Sequence, residues 1–348
     1  MNGDFLIYGA NGYTGKLIVA EALRQELRPV LAGRNRESVE AQARELGLES
    51  RVFGLDDPAA VAQGIAGARL VLHCAGPFSR TAAPMLEACL AQRAHYLDIT
   101  GEIDVFALCH RAHDRAAQAG IVVAPGTGFD VVPTDCTAAM LKARLPDATH
   151  LVLAFEAGGG PSPGTAKTSV EGLSKGGRAR IDGQVTEVPL GWKSRTFDRD
   201  GEARLAMTIP WGDVYTAYVS TGIPNVETYM AVPPATVART RRLRWFKPFL
   251  GLGFVQSFMK KRIEASMPGP SAQRREKTDC RVWGEVCNAR GDTAALSIVA
   301  PNGYALTATA SVGMVRAVLA GERPGGFYTP SKLMGAEYVL SLPGVRIV

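Results

Sequence analysis

Four consecutive apolar residues, Phe5-Leu6-Ile7-Tyr8, run directly into a turn carrying Gly9, Gly12 and Gly15 at three-residue spacing. A helix-period segment follows, with Val19, Leu23 and Leu27 recurring every fourth residue opposite Lys16, Arg24 and Gln25. That order constrains the fold more than any residue in it. One glycine permits a sharp turn after a strand, a second leaves room for a phosphate against the backbone, and a third lets the helix lie close to the strand. The free N–H groups at the helix start then face the phosphates. The spacing is GxxGxxG rather than GxGxxG, so the assignment rests on the strand before the turn and the helix after it. The expected ligands of a dinucleotide here are Gly9, Asn11, Gly12, Tyr13, Thr14 and Gly15.

The pattern repeats. Apolar runs at 5–8, 29–32, 51–54, 70–74, 96–99 and 121–124 alternate with helix-period segments. Asn35 is placed to cap the second helix and Gly47 to end it. Six such units predict an α/β fold, a doubly wound parallel-sheet Rossmann domain over 1–135. A chain of 348 residues has room for a second domain. From about 136 to 326, glycine clusters separate strand-like runs at 151–156, 205–209, 214–220 and 227–232. Runs at 281–288 and 294–299 flank Arg290-Gly291-Asp292, a hairpin signal. This predicts an α+β domain with a mostly antiparallel sheet, serving substrate or oligomer contacts. The tail 327–348 reads as a C-terminal helix.

The end of the second expected strand selects the cofactor. An NAD site places an acid about 20 residues beyond the turn, on the ribose 2′-hydroxyl. Here the sequence is "AGRNR", with Arg34 and Asn35 and no acid. A carboxylate would repel a 2′-phosphate, whereas a guanidinium binds it with paired charge-assisted hydrogen bonds. The expectation is NADP(H), with Arg34 on the phosphate. Asp56, after the third strand, is either an adenine ligand or a surface acid. The loop "HCAGPFSR" after the fourth strand brings Cys74, Ala75, Gly76 and Pro77 to the nicotinamide side, with Cys74 itself read first as a small buried hydrophobe.

Composition closes several alternatives. The six cysteines form no CxxC pair, which suggests reduced thiols in a cytoplasmic protein. His110 and His113 lack a third ligand, so no metal site is expected. A net charge of +6 suits an anionic cofactor, and no nucleic-acid motif is present. No leader peptide or membrane span is visible. One stretch stands apart: 239–262, "RTRRLRWFKPFLGLGFVQSFMKKR", has basic ends and an aromatic centre broken by Pro248. It suits peripheral contact with lipid, an acyl-chain entrance, a subunit contact, or a helical hairpin with snorkelling basic ends.

"GANGYTG", "AGRN", "CAGPF", "YLDITGE" and "GTGFDVVPTD" together resemble the saccharopine-dehydrogenase-like oxidoreductases, in particular the subgroup called trans-acting enoyl reductases. The resemblance is densest over 4–136. It returns in "GPSAQRREKTDCRVWGEVCNARGD", "PNGYALTATAS" and "TPSKLMGAEYVLSLPGV". It implies an NADP-binding Rossmann domain, a middle domain on the substrate side and a C-terminal helix returning to the first domain. Asn11 departs from a common Thr, and Val131 and Thr134 from common Ser, so position 131 has no hydroxyl.

Hydride chemistry also needs a proton donor. A tyrosine–lysine pair one helical turn apart occurs only at Tyr328 and Lys332, with Pro330 between them, and does not suit that role. Asp98 and Glu102 after the fifth strand, and Asp130 and Asp135 after the sixth, lie where the crevice is expected. Glu102 and Asp130 are the candidate catalytic residues, and Asp135 is expected to cap a helix. The leading expectation is an NADPH-dependent oxidoreductase of an enoyl or other unsaturated lipid- or polyketide-type substrate, with a homo-oligomer open. The alternatives are a saccharopine-type C–N (imine) reductase, with Arg178, Arg180 and Arg195 receiving carboxylates, and a non-catalytic NADPH-binding protein at a lipid surface.

Overall fold

The computed structural model describes residues 2–173, 175–246, 252–266, 269–321 and 323–348. The first stretch alternates strand and helix: β1 (Asn2–Tyr8), α1 (Tyr13–Arg24), β2 (Arg28–Gly33), α2 (Arg36–Leu46), β3 (Ser50–Val52), α3 (Pro58–Ile65), β4 (Leu70–His73), α4 (Phe78–Gln92), β5 (His95–Asp98), α5 (Ile103–Arg111), α6 (His113–Ala119) and β6 (Val122–Ala124). The middle stretch holds α7 (Val132–Arg144), β7 (His150–Ala157), α8 (Pro163–Leu173), β8 (Gly177–Ile181), β9 (Gln184–Val188), β10 (Ser194–Arg199), β11 (Glu202–Thr208), α9 (Asp213–Thr221), β12 (Asn225–Ala231) and α10 (Pro234–Leu243). It continues through α11 (Gly253–Ser266), α12 (Ala272–Glu276), β13 (Asp279–Cys287) and β14 (Thr293–Pro301). The chain ends in α13 (Gly303–Leu319), β15 (Gly326–Phe327), α14 (Pro330–Met334) and β16 (Arg346–Ile347).

Two units emerge. One comprises Met1–Val132 with Tyr304–Gly335, the other Pro133–Gly303 with Ala336–Val348. The chain returns to the first unit at Tyr304 rather than at the expected 327, and Ala336–Val348 belongs to the second unit.

The first unit is built on a seven-stranded sheet in the order β15-β6-β5-β4-β1-β2-β3. Every pairing is parallel. Parallel sheets are covered on both faces, so their strands read as unbroken apolar runs. Phe5, Leu6 and Ile7 are accordingly all fully buried, as are Leu70, Val71 and Leu72. The strand order reverses between β1 and β4, which is where this topology opens its ligand crevice.

The second unit has a nine-stranded mixed sheet, β10-β11-β12-β7-β13-β14-β16, with the β8–β9 hairpin attached through β12. Its one parallel pair is β12 with β7, and the rest are antiparallel. Around Arg290-Gly291-Asp292, β13 and β14 form the expected hairpin. The run 214–220 is not a strand, however. It forms α9, because Val214, Ala217 and Thr221 bury one helical face and Gly222, at φ 72°, closes the helix in the left-handed region. Nor is the tail 327–348 one helix. It is divided into β15, the five-residue α14, a 3₁₀ turn at Tyr338–Ser341 and β16, with Gly335 at φ 94° ending α14.

Candidate functional site

At the carboxyl end of β1 the three glycines do different work. Gly9 turns the chain at φ 83°, and a Cβ there would meet Ala75 at 2.9 Å. A Cβ on Gly15 would fall 2.2 Å from Gly9 O, so only glycine lets α1 approach the turn. Gly12 is exposed, and a Cβ on it would touch only Gly9 O, at 3.2 Å. It leaves the approach to the start of α1 open. No side chain caps α1, and its first turn contains no acid. Its N–H groups and dipole are therefore presented uncompensated, which suits a pyrophosphate. Tyr13 and Thr14 are half-buried beside this opening. The ring of Tyr13 stands edge-on to Tyr304 of α13 at 5.0 Å, a partner 291 residues away that no local motif announces.

Arg34 is exposed directly after β2 and makes no hydrogen bond or ion pair with the described residues. Arg36, two residues on, is engaged with Glu40 at 2.7 Å. Asn35 accepts the Ser38 N–H at 3.0 Å as the cap of α2, and Asn11 donates to Ser38 Oγ at 3.2 Å, tying the glycine turn to that helix. Both amides thus fix the glycine turn against the start of α2. Tyr8 donates to Phe53 O at 3.0 Å. Burial raises its phenol to about 12, with Arg34 lowering it and Asp56 raising it. The arginine and the exposed Asp56 therefore flank the same strand end.

The loop after β4 is held from two sides. Thr81 donates to Ala75 O at 2.7 Å and to Pro77 O at 3.1 Å. Glu102 accepts the Phe78 N–H at 2.8 Å and the Ser79 N–H at 2.9 Å, taking up the first two donors of α4. Cys74 is half-buried, and burial followed by Asp98 raises its thiol far above the usual range, so it is no thiolate. His73, before it, is fully buried among Tyr8, Phe78 and Tyr96. Burial lowers its imidazole to about 3, leaving a neutral ring in the wall.

The acids divide by environment. Asp98 accepts Tyr96 OH at 2.7 Å, Thr100 N–H at 2.9 Å and Gly126 N–H at 3.0 Å, joining the loops after β5 and β6. Burial raises its carboxyl to about 6 against those hydrogen bonds. Asp130 is half-buried beside Gly101, whose Cβ would lie 3.1 Å from its Oδ2. Burial, then the charge of Glu102, raises it to about 7. The Phe129 N–H next to it is held by Thr307 Oγ1 at 2.9 Å, and Thr127 meets Ser311 at 3.1 Å, both on α13. Asp135 does not cap α7, which starts earlier, at Val132. It is fully buried within that first turn and accepts Ser220 Oγ at 2.6 Å. His110 stacks on Phe327, and His113 Nδ1 accepts the Phe327 N–H at 3.1 Å, fastening β15. Among the described residues no group of three or more His, Cys, Asp or Glu is placed to hold a metal ion.

In the second unit the three arginines considered for carboxylates are engaged separately. Arg178 donates to Lys175 O and Gly177 O. Arg180, buried, donates to Val214 O at 2.8 Å and Gly183 O at 2.5 Å and lies over the Tyr218 ring. Arg195 pairs with Glu285 at 3.0 Å, in a cleft of about 430 Å³ whose other charges, Lys193 and Glu227, also pair with each other. Of the basic aromatic stretch, Pro248 and Phe249 lie outside the described residues. No helix of the described residues is long and apolar enough to cross a membrane.

Residues 5–123 match the saccharopine dehydrogenase NADP-binding domain family. A saccharopine dehydrogenase-like oxidoreductase of Mus musculus is 29% identical over 150 residues, covering 37% of this chain and 35% of its own. A protein of Mycobacterium tuberculosis named as a trans-acting enoyl reductase is 31% identical over 193 residues, covering 49% and 44%. The chain thus spans less than half the length of these curated relatives. Among solved structures, the apo saccharopine dehydrogenase (L-Glu forming) of Saccharomyces cerevisiae aligns over all of both chains with a TM-score of 0.65 at 12% identity, a likeness of fold.

Proposed function

We propose that this chain, whose residues 5–123 match the saccharopine dehydrogenase NADP-binding domain family, is an NADPH-dependent oxidoreductase acting on an enoyl or otherwise unsaturated, apolar acyl-type substrate. The observation that carries the cofactor choice is the acid-free end of β2, where Arg34 is exposed and makes no hydrogen bond or ion pair among the described residues, next to the uncapped start of α1. When bound, NADPH supplies a hydride. Gly9, Gly12, Tyr13, Thr14 and Gly15 take the pyrophosphate, while Asn11 and Asn35 hold the turn and α2 in place. Arg34 takes the 2′-phosphate, Asp56 borders the adenine side, and Cys74, Ala75, Gly76 and Pro77 border the nicotinamide. Asp130 holds a proton near neutral pH and is the proton donor. Glu102 acts through the backbone of Phe78 and Ser79 and is a positioning residue.

The substrate class is supported by the name of the M. tuberculosis relative and by the state of the arginines. A substrate with several carboxylates needs convergent cations, yet Arg178, Arg180 and Arg195 are each engaged elsewhere. The test has two arms. Arg34→Ala should weaken NADPH binding about 10- to 100-fold while barely changing NADH binding, the worth of a charge-assisted pair. Equal losses for both nucleotides remove the assignment. NADPH absorbance followed with enoyl thioesters, and separately with amino acid plus oxo acid mixtures, decides the substrate. Turnover only with the mixtures favours the imine reductase, and binding without any turnover marks a scaffold.

A further inference from the structure

The chain's basic charge is concentrated in one place. Between Glu227 and Glu264 lie eight of its 39 Lys and Arg and none of its 33 Asp and Glu. The net charge of +6 is smaller than the charge of this stretch, so the rest of the chain is slightly acidic. Arg241 and Arg244 fold back on the backbone: Arg241 Nε donates to Gly191 O at 3.2 Å, and Arg244 donates to Leu190 O at 2.6 Å and Gly191 O at 2.7 Å. Arg239 and Arg242 remain exposed, and Trp245 is 85% exposed.

The amphipathic order of α11 is unusual. Val255, Met259 and Ile263 form a half-buried row, and the helix packs on α8. On its outer side Phe254 and Phe258, one turn apart, are 74% and 66% exposed, with Leu252 before them and the exposed Lys261 continuing the row. Soluble surfaces scatter single apolar residues, whereas contiguous aromatic rows edged by cations mark an interaction site.

We propose that the exposed end of α10 and the outer row of α11 dock on an anionic bilayer surface. Trp245, Leu252, Phe254 and Phe258 enter the headgroup region, and Arg239, Arg242 and Lys261 lie against lipid phosphates. A second copy of the chain is disfavoured, because a two-fold contact would set Arg239, Arg242 and Lys261 against a second set of the same cations. Nucleic acid is disfavoured because the exposed row sets Leu252 beside phenylalanines on the outside of a helix rather than an aromatic platform alone. The inference goes beyond the reductase reading and stands whatever the substrate.

The test uses the full chain and vesicles of phosphatidylcholine with or without phosphatidylglycerol. Sedimentation with the anionic vesicles alone is expected. Binding should drop about tenfold or more, with an unchanged thermal midpoint, both for Trp245→Ser/Phe254→Ser/Phe258→Ser and for Arg239→Glu/Arg242→Glu/Lys261→Glu. Bromine-labelled lipid should quench tryptophan fluorescence in the wild type and less in the Trp245→Ser chain. Failure of the wild type to sediment with either vesicle overturns the proposal. So does full binding by the aromatic variant, which would leave a general polyanion surface, nucleic acid included. A dimer in solution that the aromatic variant dissociates would assign the face to a second copy and equally overturn it.

Discussion

Three carboxylates near one another in the first unit have three fates, set by what each accepts. Asp98 is spent on a hydroxyl and two backbone N–H groups. Glu102 is spent on the start of α4. Asp130 is pushed up to about 7 by burial and then by Glu102, the value that suits the donor role proposed for it. Turnover should therefore fall as pH rises through about 7, and Asp130→Asn should lower it by about 10²- to 10⁴-fold. Stability provides a second readout of opposite sign. Between the unfolded value near 3.8 and the folded value near 7, the folded chain holds a proton that the unfolded chain has released, so stability declines across that window and the penalty is complete above it. Asp130→Asn should raise the thermal midpoint above about pH 7 and leave it unchanged below about pH 4. A flat pH–rate profile, or a midpoint shift of equal size at both ends, would count against Asp130 as the titrating group.

Helix termini explain both the legible and the hidden parts of the site. The strand–glycine–helix order at β1 could be read because each part is local: an unbroken apolar run, three glycines and an apolar helical row. The cap on α4 could not, since Glu102 lies 24 residues beyond Phe78 and nothing in "CAGPFSR" announces its partner. The first sheet was legible for the same reason as its turn. Of the second unit's elements, α9 read as a strand because Val, Tyr and Thr favour strands, while the burial of one helical face decided otherwise. The hairpins β8–β9 and β10–β11 turn at Asp-Gly, Asp182-Gly183 and Asp200-Gly201, all with positive φ, yet only β11 shows in the sequence, as the run 205–209. Their partners β9 and β10 are half-exposed and charged, so no apolar run marks them. The α4 cap makes its own prediction. Glu102→Gln removes a charge from a helix start and should cost about 1–2 kcal/mol of stability. It also removes the like charge that raises Asp130, so the falling limb of the pH–rate profile should move to lower pH. Loss of stability with the limb unmoved would separate the two residues.

At the scale of the molecule, the first unit is not a contiguous piece of chain. Residues 1–135 looked self-sufficient because they contain every nucleotide signal, yet the unit takes in Tyr304–Gly335 as well. That return supplies β15 on the exposed edge of β6, the Thr307 hydroxyl on Phe129 N–H beside Asp130, the Ser311 contact with Thr127 and the Tyr304 ring against Tyr13. Without it β6 becomes an open edge, and the apolar burial supplied by α13 itself, through side chains such as Val312 and Val315, is lost. Residues 1–132 alone should therefore aggregate or melt without cooperativity, and should bind NADPH at least about 100-fold more weakly than the full chain, the population cost of a competent fold destabilised by roughly 3 kcal/mol. Residues 1–132 joined through a flexible linker to 304–335 should recover both cooperative melting and NADPH affinity. Thermal scans with and without NADPH measure this directly, because a ligand that binds only the folded state raises its midpoint. If 1–132 alone melts cooperatively and binds NADPH as tightly as the full chain, the returning segment contributes nothing to the nucleotide site, and the Thr307 and Tyr304 contacts are incidental to it.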